Sequence, residues 1–205
     1  MYFCSMKRAL LWTVVLLTSS TVGFLYYIGF FMSLEVKEGP EGGYLLGGFY
    51  HTGPYEEVGA TFMRAKSAAD SLGFPTDTLI GCYFDDPNTV EADSLQSFIG
   101  AVVASGDFSY VGNIDPGHLE IHAIFEGDAL YVDFPFKNDL SMIVGAIRVY
   151  PFLTKEAEKR GFETGQVYEI YTENTIRYVF QTYPVAQEAS DSFWELVDES
   201  GDLAE

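Results

Sequence analysis

Gly73-Phe74-Pro75-Thr76 recurs 88 residues later as Gly161-Phe162-Glu163-Thr164, and Tyr83 recurs as Tyr171 at the same offset. Around both copies the chain keeps one order: an aromatic-rich extended run, a turn, a long helical pattern, Gly-Phe, then two more extended runs. One offset shared by several kinds of element marks a duplicated supersecondary unit. In the first copy, residues 44–51 read as a strand and Gly53-Pro54 as the turn into a helix. Val58, Phe62, Ala65, Ala69 and Leu72 then step by fours and threes along one helical face. Gly73 stands where a helix C-cap glycine belongs. Residues 78–84 and 98–103 supply two further strands, separated by the turn chemistry of Asp85-Asp86-Pro87-Asn88.

The second copy opens with a strand at 130–136. Asn138 or Asp139 is expected to cap a helix with the apolar stripe Leu140, Ile143, Val144 and Ile147. Pro151 should kink or divide that helix, because it lacks an N–H and crowds the preceding turn. Gly161 closes it, and residues 167–171 and 176–183 are strands around a 172–174 turn. The expected fold class is α+β: two β-α-β-β units forming one antiparallel sheet over residues 35–185. Two helices cover one face and leave the other partly open.

Charge divides the chain further. Residues 1–34 carry Lys7 and Arg8 and no acid, whereas residues 186–205 carry seven acids and no cation. The net −19 therefore leaves −14 for the region between them. No basic cluster exists, which excludes a nucleic-acid binder working through a cationic face. Cys4 and Cys82 cannot build a disulfide framework, and His51, His118 and His122 lack metal-ligand spacing, so no cofactor or metal is expected.

Residues 9–34 hold no charged side chain; as a helix they would extend about 39 Å, enough to cross a bilayer core. A single-pass anchor over residues 1–34 is expected. A signal peptide cut among the small residues 18–23 is the competing reading, but the apolar run continues past that cut through Phe31. Lys7 and Arg8 place the N-terminus in the cytosol and the domain outside it. The absence of a disulfide framework and of any Asn-x-Ser/Thr sequon points the other way.

His51-Thr52-Gly53-Pro54-Tyr55, Tyr83-Phe84-Asp85-Asp86-Pro87 and Tyr168-Glu169-Ile170-Tyr171, in that order, resemble the GyrI-like family. The resemblance implies a duplicated β-α-β-β domain with a central cleft, in which a carboxylate meets cationic, often aromatic ligands. The matching position is Glu169, with Tyr171, Tyr83 and Tyr50 as candidate cleft walls for a small organic cation. The plain alternatives are a rim glutamate on an exposed edge and ordinary half-buried sheet tyrosines. Some family members hydrolyse strained electrophiles. Here Glu169 has no second catalytic partner fixed by motif, so a binding protein is expected rather than an enzyme.

With its anchor, the layout also resembles the membrane-anchored branch of that family, which includes an ER-phagy (reticulophagy) receptor. Similar anchored members occur in bacteria. The compartment is then the endoplasmic reticulum membrane in a eukaryote or the inner membrane in a bacterium. In the acidic tail, 186–205, the segment Asp191-Ser192-Phe193-Trp194-Glu195-Leu196-Val197-Asp198-Glu199 resembles an LC3-interacting region (LIR motif). Such a peptide adds as a β-strand to a ubiquitin-like autophagosome protein and buries an aromatic and an aliphatic side chain. Phe193/Leu196 and Trp194/Val197 both fit, and the alternative is that the segment folds back on the domain. Two function classes follow: an autophagy receptor, or a membrane-tethered small-molecule sensor or carrier.

Overall fold

Both Gly-Phe junctions end helices. Gly73 and Gly161 adopt φ values of +79° and +70°, the left-handed conformation that closes a helix at little cost only for glycine. The computed structural model describes residues 2–106 and 117–184. The motif proposed at 191–199, with Phe193, Trp194, Leu196 and Val197, lies outside the described residues. In chain order the elements are α1 (Tyr2–Tyr27), β1 (Lys37–Glu41), β2 (Tyr44–Thr52), α2 (Gly59–Ser71), β3 (Leu79–Tyr83) and β4 (Gln96–Ser105). They continue as β5 (Glu120–Ile124), β6 (Gly127–Pro135), α3 (Asp139–Arg160), β7 (Phe162–Tyr171) and β8 (Thr175–Pro184). Short 3₁₀ turns lie at Tyr55–Glu57 and Ala92–Ser94.

The eight strands form one antiparallel sheet in the order β1-β6-β8-β7-β3-β4-β2-β5. The two copies meet at β3 and β7, where Gly81 pairs with Glu169. Each copy's leading strand is lodged in the other. β1 precedes β2 yet pairs with β6, and β5 precedes β6 yet pairs with β2.

Alternation along the strands sends one set of side chains to the helices. Under α2, Phe49, Ile99, Ala101 and Leu119 pack with Val58, Ala65, Ala68 and Ala69. Under α3, Leu130, Val132, Phe134, Ile176, Tyr178 and Phe180 pack with Val149, Leu153 and Ala157. The opposite face is closed over its middle and stays open toward Tyr50 and Phe84, which are 50% and 41% exposed. Leu46, Ile80, Cys82, Phe98, Ile124, Tyr168 and Val179 on it are all fully buried, because the sheet curls until its edges meet. At that meeting the Gln181 side-chain amide donates to the carbonyls of Glu41 (3.2 Å) and Phe125 (2.7 Å), one from each edge. Burial pushes the Cys82 thiol up to about 12, so it is a packing residue.

Asn138 caps α3 in a reciprocal capping box with Ser141. The expected apolar stripe is displaced, however. The inward positions are Ser141, Gly145, Val149, Leu153 and Ala157, while Leu140, Ile143 and Ile147 are 48%, 54% and 70% exposed. Nor does Pro151 divide the helix, which is continuous from Asp139 to Arg160. Pro151 lies on the exposed side, where water can take the bond its ring forfeits.

α1 is long and apolar enough to cross a membrane, and the stretch Leu10–Tyr27 has no residue buried against the domain. Its helix stops at Tyr27, short of the uncharged run's end at Leu34. Ile28 is buried, and Met32 and Leu34 pack beside the α3 core. Arg148 fixes this junction by donating to the carbonyls of Gly29 (2.7 Å) and Met32 (2.6 Å).

Candidate functional site

Strand parity decides what faces the helices at the junction of the copies. On β7, Tyr168 and Ile170 point into the curl, so Val167, Glu169 and Tyr171 point to the helix side. Glu169 is only 5% exposed, on a central strand, and is not a rim residue. Three phenols donate to it: Tyr150 from α3 to Oε1 at 2.5 Å, and Tyr171 and Tyr83 to Oε2, the latter at 3.4 Å. Burial pushes the Glu169 carboxyl above the usual carboxylate range, and the three hydroxyls oppose that shift without cancelling it. Burial and then the nearby Glu169 charge raise all three phenols, so they remain donors at neutral pH.

Aromatic rings wall this carboxylate. Phe62 of α2 meets the Tyr171 ring edge-on at 4.9 Å, and Tyr55 meets Tyr83 the same way at 4.9 Å. Tyr150 packs across Tyr178 at 5.5 Å and Phe180 at 5.7 Å. Tyr55 also locks the surrounding loops: its hydroxyl donates to the Asp85 carbonyl (2.9 Å) and accepts from the Asp85 N–H (3.0 Å). The Asp85 carboxylate in turn accepts from the Gln96 N–H at 2.6 Å. The His-Thr-Gly-Pro-Tyr and Tyr-Phe-Asp-Asp-Pro segments thus touch through Tyr55 and Asp85, holding α2 against β3.

The structure brings together Glu169, Tyr171 and Tyr83. It does not include Tyr50, which points to the other face of the sheet. There Tyr50 packs on Phe98 (4.9 Å), Phe84 (6.3 Å) and His122 (6.4 Å). An even-numbered position on β2 shares the parity of Leu46, which lies inside the curl. Tyr150 was not foreseen, although the 88-residue offset singles it out as the counterpart of Phe62. The offset also maps Gly81 onto Glu169. A Cβ at Gly81 would lie 3.1 Å from the Tyr83 hydroxyl and 3.2 Å from Phe62. One copy supplies the acid and the other leaves room for it, so the two-fold site holds a single carboxylate.

Residues 35–183 match the model of the GyrI-like small molecule binding domain. The chain belongs to the GyrI-like family. Over 141 residues this GyrI-like chain is 25% identical to the testis-expressed protein 264 homolog of Mus musculus, a match covering 63% of the chain and 42% of that protein. The chain therefore spans well under two thirds of the curated relative it matches. Among solved structures, the EcmrR C-terminal domain superposes with a TM-score of 0.52 at 15% identity, over 75% of this chain and all of that domain. EcmrR in a DNA complex gives 0.53 at 14% identity, over 90% of this chain and 73% of EcmrR. At these identities the likeness is one of GyrI-like fold.

Proposed function

We propose that this GyrI-like chain is a membrane-tethered protein that binds a small aromatic cation on Glu169. The observation that carries the reading is the buried Glu169 carboxylate, which among the described residues is met by phenols and by no cation, ringed by the half-buried rings of Phe62, Tyr83, Tyr150 and Tyr171. A cation arriving there supplies the charge that burial lacks, and the ring faces add cation–π attraction of about 0.5–2 kcal/mol each. It also favours the ionised carboxyl, so affinity should rise with pH through the raised Glu169 pKa. Among the described residues the network joins one carboxyl to three phenols held as hydrogen-bond donors, an arrangement that supports binding of a cation.

Tetraphenylphosphonium and tetraphenylborate share a shape and differ in charge, so they separate recognition from greasiness. The phosphonium alone should raise the melting temperature of the parent, and Glu169→Gln should abolish that shift. Equal shifts with both ions, or in both proteins, refute the reading.

A second reading is carried by the sequence at 191–199: an ER-anchored receptor docking ubiquitin-like autophagosome proteins through the tail. It requires a cytosolic domain, which protease protection of a C-terminal tag in sealed microsomes would contradict. With the tail cytosolic, a Phe193→Ala, Trp194→Ala double variant should lose the autophagosome protein in a pull-down. Undiminished capture removes the motif.

A further inference from the structure

The helix that presents Tyr150 inward presents apolar side chains outward. Leu140, Ile143 and Ile147 lie at i, i+3 and i+7, on the side of α3 opposite Gly145, Val149 and Leu153, and are about half exposed or more. Three large aliphatics in register on one exposed face form a patch, unlike scattered surface residues. Its location is specific. Arg148, on the flank of the same helix, grips the Gly29 and Met32 carbonyls, so this half of α3 sits beside the point where α1 leaves the domain. Between Arg148's two acceptors, Phe30 and Phe31 are 44% and 54% exposed, so the segment that Arg148 holds is apolar at its surface too.

Charge follows the same geography. Residues 35–185 carry nine cations against a net −14, and five of the nine (Lys137, Arg148, Lys155, Lys159 and Arg160) fall within 137–160. Only three acids, Asp139, Glu156 and Glu158, share that stretch, making it net positive in a strongly acidic domain. An exposed apolar stripe matches a bilayer surface, where aliphatics enter the acyl boundary. Arg148 is spent on carbonyls, and Lys159 and Arg160 pair with Glu156 and Glu38, so the exposed Lys137 and Lys155 are the cations of this stretch that meet anionic headgroups.

We infer that the outer face of α3 is a second membrane contact, seating the domain on the bilayer beside α1 through Leu140, Ile143, Ile147, Phe30 and Phe31. The inference rests on α1 spanning the membrane. The occupant is lipid because Arg148 ties the helix that carries the patch to the end of that span, where Phe30 and Phe31 are exposed as well.

The test uses the full chain with Cys4→Ser, reconstituted in vesicles of three parts phosphatidylcholine to one part phosphatidylserine. An environment-sensitive fluorophore is attached singly at Ile143→Cys, at Ile147→Cys, or at Met63→Cys, a control on α2 as exposed as Ile147. Spin-labelled lipid should quench the first two probes at least twofold more than the control. Vesicle-bound protein with all three probes quenched alike overturns the α3 contact while leaving the tether standing. Protein that fails to float with vesicles after alkaline carbonate overturns the tether, and the inference with it. A blue shift at Ile143→Cys that follows protein concentration in detergent, without lipid quenching, assigns the face to a second copy instead.

Discussion

Removing one hydroxyl isolates the interaction on which the buried carboxylate depends. Tyr150→Phe keeps the ring against Tyr178 and Phe180 but deletes the donor to Glu169 Oε1. The other two phenols serve Oε2, so among the described residues Oε1 has no substitute donor. Water cannot readily take the vacated place on a carboxylate 5% exposed. A hydrogen bond to a charged acceptor contributes about 1.5–3 kcal/mol, so the loss should fall in that range. For a domain of this size, at roughly 3 °C per kcal/mol, the melting temperature should drop by about 5–9 °C. Tyr83→Phe removes a longer contact of 3.4 Å and should cost less, about 1 kcal/mol or under. Far-UV circular dichroism of the full chain in detergent micelles, melted thermally and in urea, measures both. Combining Tyr150→Phe with Glu169→Gln completes a double-mutant cycle, and most of the single-variant loss should reappear as coupling. A Tyr150→Phe protein within about 0.5 kcal/mol of the parent, or a strictly additive cycle, would refute the idea that this phenol sustains the buried charge.

Glu169→Gln should also change the pH profile of stability. The folded carboxyl has a raised pKa, so between the ordinary carboxylate value and that raised one the folded state holds more proton than the unfolded state. This share of stability therefore falls as pH rises through the window, and the amide variant should lose that slope in urea titrations. Asp133 has the opposite sign. Burial alone would raise its pKa, but hydrogen bonds from Arg177 and Lys37 hold it below the usual range, so its contribution is lost on acidification. Arg177→Met should weaken that acid sensitivity, with Lys37 still donating to Asp133 at 2.8 Å. It also strands Glu41, 7% exposed and bonded to Arg177 at 2.6 Å, at a cost of about 3–5 kcal/mol by urea unfolding. Gly145→Ala should destabilise by about 1–3 kcal/mol despite better helix propensity, since its Cβ would lie 2.3 Å from the Tyr178 hydroxyl. A melting temperature at or above the parent's would contradict that packing.

Much of the fold is legible in local chemistry. The 88-residue offset locates both β-α-β-β units, the Gly73 and Gly161 caps and the Asn138 start, because each is dictated by residues adjacent in sequence. The curl is not legible: Gln181 closes it against Glu41 and Phe125, partners 140 and 56 residues away. The strand 37–41 was hidden too, since Lys-Glu-Gly-Pro-Glu has no strand pattern and its ladder partner is supplied by β6. The α3 stripe misled because apolar spacing reveals an amphipathic helix but not which medium receives each face. At the candidate site, odd parity on β3 and β7 brings Tyr83, Glu169 and Tyr171 to one face, whereas parity on β2 sends Tyr50 to the other. Tyr150 is marked only by the repeat on the helices, where it stands 88 residues after Phe62.

The reciprocal placing of β1 and β5 bears on how such a chain could come to exist. A single unit ending near residue 105 would have no β6 to receive its β1 and no β5 to cover its β2 edge. Two identical units trading their leading strands would cure both defects at once and build this same sheet around a two-fold axis. The polypeptide therefore has the form of a swapped homodimer fused end to end. Fusion is also what allows its central dyad to be unequal: a true homodimer would have to place two acids or two glycines at 81 and 169, whereas one chain can keep one of each.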